Sequence, residues 1–349
     1  MHKFDYSFLK ESVFTGEVLN LAAGIYSLKA TNKTQQLNHP KIFSELEKIA
    51  LVQSVKNSNA IEGIITSDER IRLIVQENCA PLNHDEAEIV GYRDALNIIH
   101  TNYQNINFNE RDILQLHKIM LSHAEYDFGG RYKDFDNAVI EIDALGNRKV
   151  RFSPTPANET KYAMEQLVLA YMDAANDDAI NKLALIPCVI LDFLCIHPFR
   201  DGNGRLSRLL SLLLLYQNGF HVGKYISFEE QINKYKNSYY ESLRVSSTNW
   251  HDNSNSYIPF IENFLFSLLT CYRELDNRFS IISDGKFSKT ARIESTLLNS
   301  LTPMSKKELF EVLPDISFTT IEAVLGKMVR DEKIIKLGSG RNTKYIRKK

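Results

Sequence analysis

Two leucine-rich runs, 183–199 and 206–216, constrain this chain more than any other feature in it. The first is nearly continuous in apolar side chains and too long for an ordinary strand. The second is apolar on almost every side. Both therefore read as helices buried all round, not as amphipathic surface helices. Pro187 falls either in the first turn of the first helix or at a kink in it, and Asn218-Gly219 is a common stop for the second. Two such helices belong at the centre of a larger helical body. The residues where they meet, His197-Pro198-Phe199-Arg200-Asp201-Gly202-Asn203-Gly204-Arg205-Leu206-Ser207-Arg208, are then held from both sides.

That stretch has the parts of a phosphate and metal site. Gly202 and Gly204 remove Cβ atoms where the backbone must turn and approach a ligand. Asn203 tolerates unusual dihedrals and can hydrogen-bond an oxygen. The second helix starts near Gly204, so its free N–H groups point into the loop. Arg205 and Arg208, three apart, offer planar forks for separate phosphate oxygens. Asp201 is the hard oxygen ligand that Mg²⁺ uses when it bridges phosphates. His197 is the one group in the loop able to exchange a proton near neutral pH, and Pro198 and Phe199 anchor the turn. A bare glycine-rich connection would not need acid, base and anion holders together. No Walker sequence precedes the helix, and the protein-kinase loops are absent.

The rest of the chain supports this centre. Up to about residue 130 the spacing is helical. A first helix is expected to end near Asn57, followed by Ser58-Asn59-Ala60-Ile61-Glu62-Gly63, in which Ser58 and Glu62 share a helix face and Gly63 stops the helix. Further helices are expected over 85–100 and 110–123, the latter capped by Asn109. Residues 138–152 change to a strand period, with Val139-Ile140-Glu141-Ile142 and Val150-Arg151-Phe152 about a turn at 144–147. This predicts one hairpin lying on the helices as a flap. Helices follow over 160–173, after Tyr225 (carrying Tyr235, Tyr239, Tyr240 and Leu243) and over 258–279, with a linker near 283–285. The remainder, with helices at 291–301, 305–312 and 317–331 and strands about Gly338-Ser339-Gly340, has the helix, helix, helix, hairpin order of a winged helix.

Charge separates this last unit. The chain has 42 basic and 43 acidic residues, which gives no global field for nucleic acid or membrane, but 327–349 holds nine Lys or Arg against two acids. Cys79, Cys188, Cys195 and Cys271 are too scattered for a disulfide framework or a zinc site. No stretch is apolar enough to span a membrane, and the start does not open a signal peptide, so a cytoplasmic protein without a membrane partner is expected.

The loop also resembles the signature of the Fic family, H-x-F-x-[DE]-G-N-G-R-x-x-R, at every specified position from His197 to Arg208. The resemblance extends over roughly 1–280. Residues 58–63 are similar to the family's inhibitory motif, [ST]-x-x-x-E-[GN], and the hairpin to its target-binding flap. It implies a mainly α fold, with an N-terminal helical region (1–100), a catalytic domain with a β-hairpin flap (101–282) and the small winged helix (286–349). It implies a protein adenylyltransferase that moves AMP from ATP to a Ser, Thr or Tyr hydroxyl of a protein, itself included, with Mg²⁺. In that reading His197 is the general base and Asp201 the metal ligand. ATP is bound by Asp201, Gly202, Asn203, Gly204, Arg205, Leu206, Ser207 and Arg208, with Tyr239 and Tyr240 near the adenine. Val139 to Ile142 meet the target. Ser58, Glu62 and Gly63 form the inhibitory stretch, in which Glu62 pairs with Arg208 and takes the γ-phosphate's place. In some relatives this glutamate is also linked to AMP removal. The intact Gly202-Asn203-Gly204 speaks against the phosphorylating branch.

A competing reading makes the basic winged helix dominant and the protein a DNA-associated regulator. Thr319, Thr320 and Glu322 at the start of its candidate recognition helix offer no arginine to read guanine. Homo-oligomerisation, the target and the signal that relieves inhibition are left open by the sequence.

Overall fold

The leucine-rich runs form two adjacent helices at the centre of a helical body. The computed structural model describes residues 2–11, 14–142, 148–283, 288–298, 300, 303–340 and 343–348. In chain order the elements begin with α1 (Phe8–Glu11), α2 (Gly16–Asn38), α3 (Pro40–Ile61), α4 (Asp68–Glu77), α5 (His84–Asn102) and α6 (Glu110–Met120). A hairpin of β1 (Val139–Ile142) and β2 (Arg148–Phe152) precedes α7 (Ala157–Ala175), α8 (Lys182–Ile196), α9 (Asn203–Gln217), α10 (Phe228–Lys234), α11 (Lys236–Ser247) and α12 (Ile258–Ser283). The last unit comprises α13 (Lys289–Leu298), β3 (Met304–Ser305), α14 (Lys306–Val312), α15 (Phe318–Arg330), β4 (Ile334–Leu337) and β5 (Lys344–Arg347).

In α8 every side chain over 183–196 is buried, and in α9 all those over 205–216 are. The two pack on each other. α7, α11 and α12 lie against α8, while α3, α5 and α6 lie against α9. Burial on all sides is why the sequence shows no amphipathic stripe here. Pro187 sits inside α8, beyond its first turn. Close approach of α5 to α6 depends on Gly91, where a Cβ would overlap the Met120 carbonyl.

Within the buried part of α8 a carboxylate interrupts this core. Asp192, fully buried in the middle of α8, accepts hydrogen bonds from Tyr6 Oη at 2.7 Å, Trp250 Nε1 at 2.7 Å and Tyr257 Oη at 2.9 Å. It therefore ties the N-terminal segment and the residues between α11 and α12 to the helix that carries the loop.

Several sequence expectations shift by a turn. α3 continues to Ile61, so Ser58 and Asn59 are helical and the chain turns only at Gly63, φ +83°. The helix expected over 110–123 ends at Met120, with Asn109 as its cap. The helix after Tyr225 is two, separated at Tyr235 (φ −110°, ψ 32°), whose ring packs edge-on against Phe266. β1 and β2 pair antiparallel with Ile140 opposite Val150. The expected turn at 144–147 and the side chains of Glu141 and Ile142 lie outside the described residues.

From α13 onward the order helix, helix, helix, hairpin is present, with one strand more: β3 pairs with β5, giving a sheet ordered β3-β5-β4. Ser305 begins α14 with a reciprocal cap to Glu308. Asp315 accepts two hydrogen bonds from the buried Arg292. This unit meets the rest of the chain through contacts of α13 with α12 and of α14 with α3. The expected linker residues 284 and 285, the boundary at 286 and Lys349 lie outside the described residues.

Candidate active site

α8 ends at Ile196, and His197 caps it in the left-handed region at φ +49°, its N–H bonded to Phe193 O at 3.0 Å. That turn swings the imidazole off the helix axis. Burial, then the charge of Lys133, push the His197 pKa down to about 4, against a main-chain hydrogen bond to Leu194 and the carboxylates of Glu62 and Asp201. The ring is therefore neutral near pH 7 and able to accept a proton.

The loop after it is closed from within. Asn203 Oδ1 accepts from the Phe199 N–H at 3.0 Å and its Nδ2 donates to Phe199 O at 2.8 Å. Both ends of the amide that sequence reasoning offered to a phosphate are bonded within the turn, where Phe199 O also accepts from Asn137. Gly202, φ +80°, is the residue before α9 and faces Met120 and His117 with no room for a Cβ. His117 stacks on Phe199 with centroids 3.8 Å apart. Its Nδ1 accepts from the Gly130 N–H at 3.0 Å, so its Nε2–H donates to Asp201 O, also at 3.0 Å.

A strap over 133–137 fastens the outside. The Lys133 N–H donates to Pro198 O at 2.9 Å, Lys133 Nζ to Ile196 O at 3.2 Å, and Asn137 Nδ2 to Phe199 O at 3.1 Å. Burial pushes the Lys133 pKa down to about 8.

The two signature arginines differ. Arg205, 1% exposed, pairs with Glu88 and lies 3.3 Å from Asp201 Oδ2. It thus points inward between two carboxylates and holds Asp201. The Asp201 side chain is 55% exposed. Among the described residues no three metal-ligating side chains cluster. One accessible carboxylate suits an ion such as Mg²⁺, which takes most of its ligands from phosphate and water.

Arg208 is buried and held through Nε and Nη2. Its Nε donates to Ser58 Oγ at 2.8 Å, and its Nη2 to Ser58 O at 2.9 Å and Glu62 Oε1 at 2.8 Å. Burial pushes the Glu62 carboxyl up, but the Arg208 charge and hydrogen bond outweigh it and hold the group below the usual carboxylate range. Space for this carboxylate exists because residue 204 is glycine; a Cβ there would collide with Glu62.

Beside this clasp is a cavity of about 640 Å³ that brings together Glu62, Val139, Ile140, His197, Gly204, Arg208, Tyr239 and Tyr240. Of the remaining expected residues, Leu206 and Ser207 are buried in α9, where Ser207 Oγ bonds to Gly204 O at 2.8 Å. Gly63 serves as the turn after α3. Sequence reasoning missed Glu88, His117 and Lys133, and also Arg151 and Lys236 on the cavity wall. Lys236 Nζ donates to Ile61 O at 2.6 Å, and Arg151 Nη2 to Tyr240 O at 2.9 Å.

Residues 107–215, which contain the His197 loop, match the model of the Fic/DOC family. Those residues thus form a Fic/DOC domain within the chain. Curated Fic relatives include Protein adenylyltransferase Fic of Nematostella vectensis, 26% identical over 61% of this chain and 47% of its own. Protein adenylyltransferase fic-1 of Caenorhabditis elegans is 26% identical over 53% of this chain and 35% of its own. The aligned part of this chain thus spans less than half the length of either relative. A Fic family protein from Desulfovibrio desulfuricans G20 shares the fold over 97% of both chains at a TM-score of 0.63 and 20% identity. A Fic domain containing signaling protein from Bacteroides thetaiotaomicron matches 76% of this chain and 95% of its own at 0.60 and 22%.

Proposed function

We propose that this Fic chain is a protein adenylyltransferase, moving AMP from ATP to a Ser, Thr or Tyr hydroxyl of a protein, and that Glu62 restrains it. The observation that carries the reading is the Arg208 clasp: the guanidinium that would grip the end of a triphosphate is held by Ser58 and Glu62 from the same chain. The names of the curated relatives support the reaction class.

The neutral His197 takes the proton of the target hydroxyl as its oxygen bonds to the α-phosphorus. The bond from that phosphorus to the β-bridging oxygen breaks, and pyrophosphate leaves. The free N–H groups of the first turn of α9, at Asn203, Gly204 and Arg205, favour phosphate oxygens at that end of the helix. Asp201 would hold Mg²⁺, which would neutralise charge on the phosphates. Arg205 and Glu88 keep Asp201 in place, and the strap over 133–137 keeps His197 in place. Tyr239 and Tyr240 supply an aromatic wall for the base. Glu62 competes with a phosphate for one guanidinium.

Intact-mass measurement of Glu62→Gly with ATP and Mg²⁺ tests this. Self-modification by one AMP is expected, absent from the additional His197→Ala variant. Transfer of the γ-label alone from ATP would overturn adenylylation.

A further inference from the structure

We propose that the chain carries a second small-molecule site, a pocket between α2, α3 and the residues following α9, which takes a hydroxylated organic phosphate of mononucleotide size. Its volume is about 500 Å³, within the range of ordinary ligand pockets. It shares no lining residue with the catalytic cavity. The two sit at opposite ends of α9, from Gly204 to Gly219, roughly 22 Å along a helix axis.

The walls are cationic. Lys29, Lys33 and Lys224 line the pocket beside His221, whose pKa burial and the two nearby lysines Lys224 and Lys29 lower, and no acidic residue lines it among the described ones. Two of the lysines are held in place without a carboxylate. Lys29 Nζ lies 4.0 Å over the Phe220 ring, and Lys224 Nζ donates to His100 O at 2.7 Å while facing the Tyr103 ring at 5.0 Å. Burial lowers the pKa of both, and Lys33 lowers that of Lys29 further. Glu47 acts on Lys224 electrostatically but does not line the pocket. The carbonyl end of α9 accounts for a cation at Lys29, but not for Lys33 and Lys224 beside it.

A second observation fixes the ligand class. Asn32, 6% exposed, lines the same pocket, and its Oδ1 has no hydrogen-bond partner. The orientation of its amide is dictated by a relay: Asn32 Nδ2 donates to Gln35 Oε1 at 2.8 Å, and Gln35 Nε2 donates to Asp276 Oδ1 at 3.2 Å. An ionised carboxylate only accepts, so the free atom of Asn32 is an acceptor that demands a donor. Phosphate oxygens suit the lysines and cannot satisfy it; a hydroxyl on the same molecule can, after a small shift of the enclosed Asn32 side chain that uncovers Oδ1. Phe43 and Tyr225, edge to face at 4.9 Å, add apolar wall for a flat ring.

The test is calorimetric titration of uridine 5′-monophosphate into the Arg208→Ala protein, in which the catalytic phosphate grip is removed. Saturable one-to-one binding is expected. It should weaken at least about tenfold in Lys29→Glu/Lys33→Glu, whose side chains are partly or fully exposed, so that folding is spared. Asn32→Ala should weaken the nucleotide about threefold or more while leaving inorganic phosphate unchanged. No saturable binding, or binding indifferent to the lysine reversal, would overturn the site.

Discussion

His197 and Arg208 divide the labour of the loop, and each makes its own prediction. Since the folded His197 pKa is lowered to about 4, its neutral form persists well below the ordinary histidine range. The acid limb of kcat/KM for Glu62→Gly should therefore stay flat down to about pH 5, since that parameter reports the free enzyme. A fall centred on 6.5 would show that the imidazole titrates as an ordinary histidine and that burial does not depress it. Glu62 shifts in the direction usual for a paired carboxylate: its folded value is depressed, so the clasp holds above the ordinary carboxylate pKa and is lost as pH falls through the lowered one. Initial rates should rise in Glu62→Gly on the order of tenfold to a hundredfold, the usual scale of a regulatory coupling. Gly204→Ala should also displace the carboxylate, yet crowd the phosphate position, so no activation and a higher KM for ATP are expected. A rate matching Glu62→Gly would show that the two anions do not share that space. These residues were legible because they stand in short linear patterns. Glu88, His117 and Lys133 were not, because each reaches the loop from a distant helix or strap and has no spacing to betray it.

At the level of elements, α8 and α9 were legible as buried helices from their unbroken apolar runs. Trimming Leu213, fully buried in α9, to alanine should cost about 2–5 kcal/mol in urea unfolding. Their ends were less legible: α3 runs through Ser58 because its last turn is fixed by Arg208 across the core, not by a local stop. Asp192 was legible as a residue but not as a junction, since its three donors, Tyr6, Trp250 and Tyr257, are all distant from it in sequence. Burial raises its pKa to about 7, above the unfolded value of 3.8, against hydrogen bonds from Trp250, Tyr6 and Tyr257. Its contribution to stability is therefore complete below the unfolded value and declines as pH rises toward 7. Asp192→Ala should strand those donors and cost about 2–4 kcal/mol, read in the same denaturation experiment.

Across the whole molecule, the basic C-terminal unit was legible in composition, whereas the use of its charges was not. Lys306 pairs with Glu322 at 2.8 Å, Lys333 with Glu294 at 3.2 Å and Lys348 with Glu332 at 2.9 Å. Side chains already neutralised by neighbours release few counterions. Duplex binding by the full chain should show little salt dependence, and deletion of 286–349 should barely change it; a steep slope lost on deletion would restore the DNA role. The left-handed turn at His197 reaches further than the reaction. Glycine adopts that conformation freely, and an imidazole-bearing residue does so at a cost of about 1–2 kcal/mol. His197→Gly would recover that strain but forfeit the packing of a largely buried imidazole and free the unfolded chain, so its melting temperature should stay within a few degrees of the parent's. Loss of the imidazole would then cost the fold little, and a screen for thermal robustness alone would be blind to it.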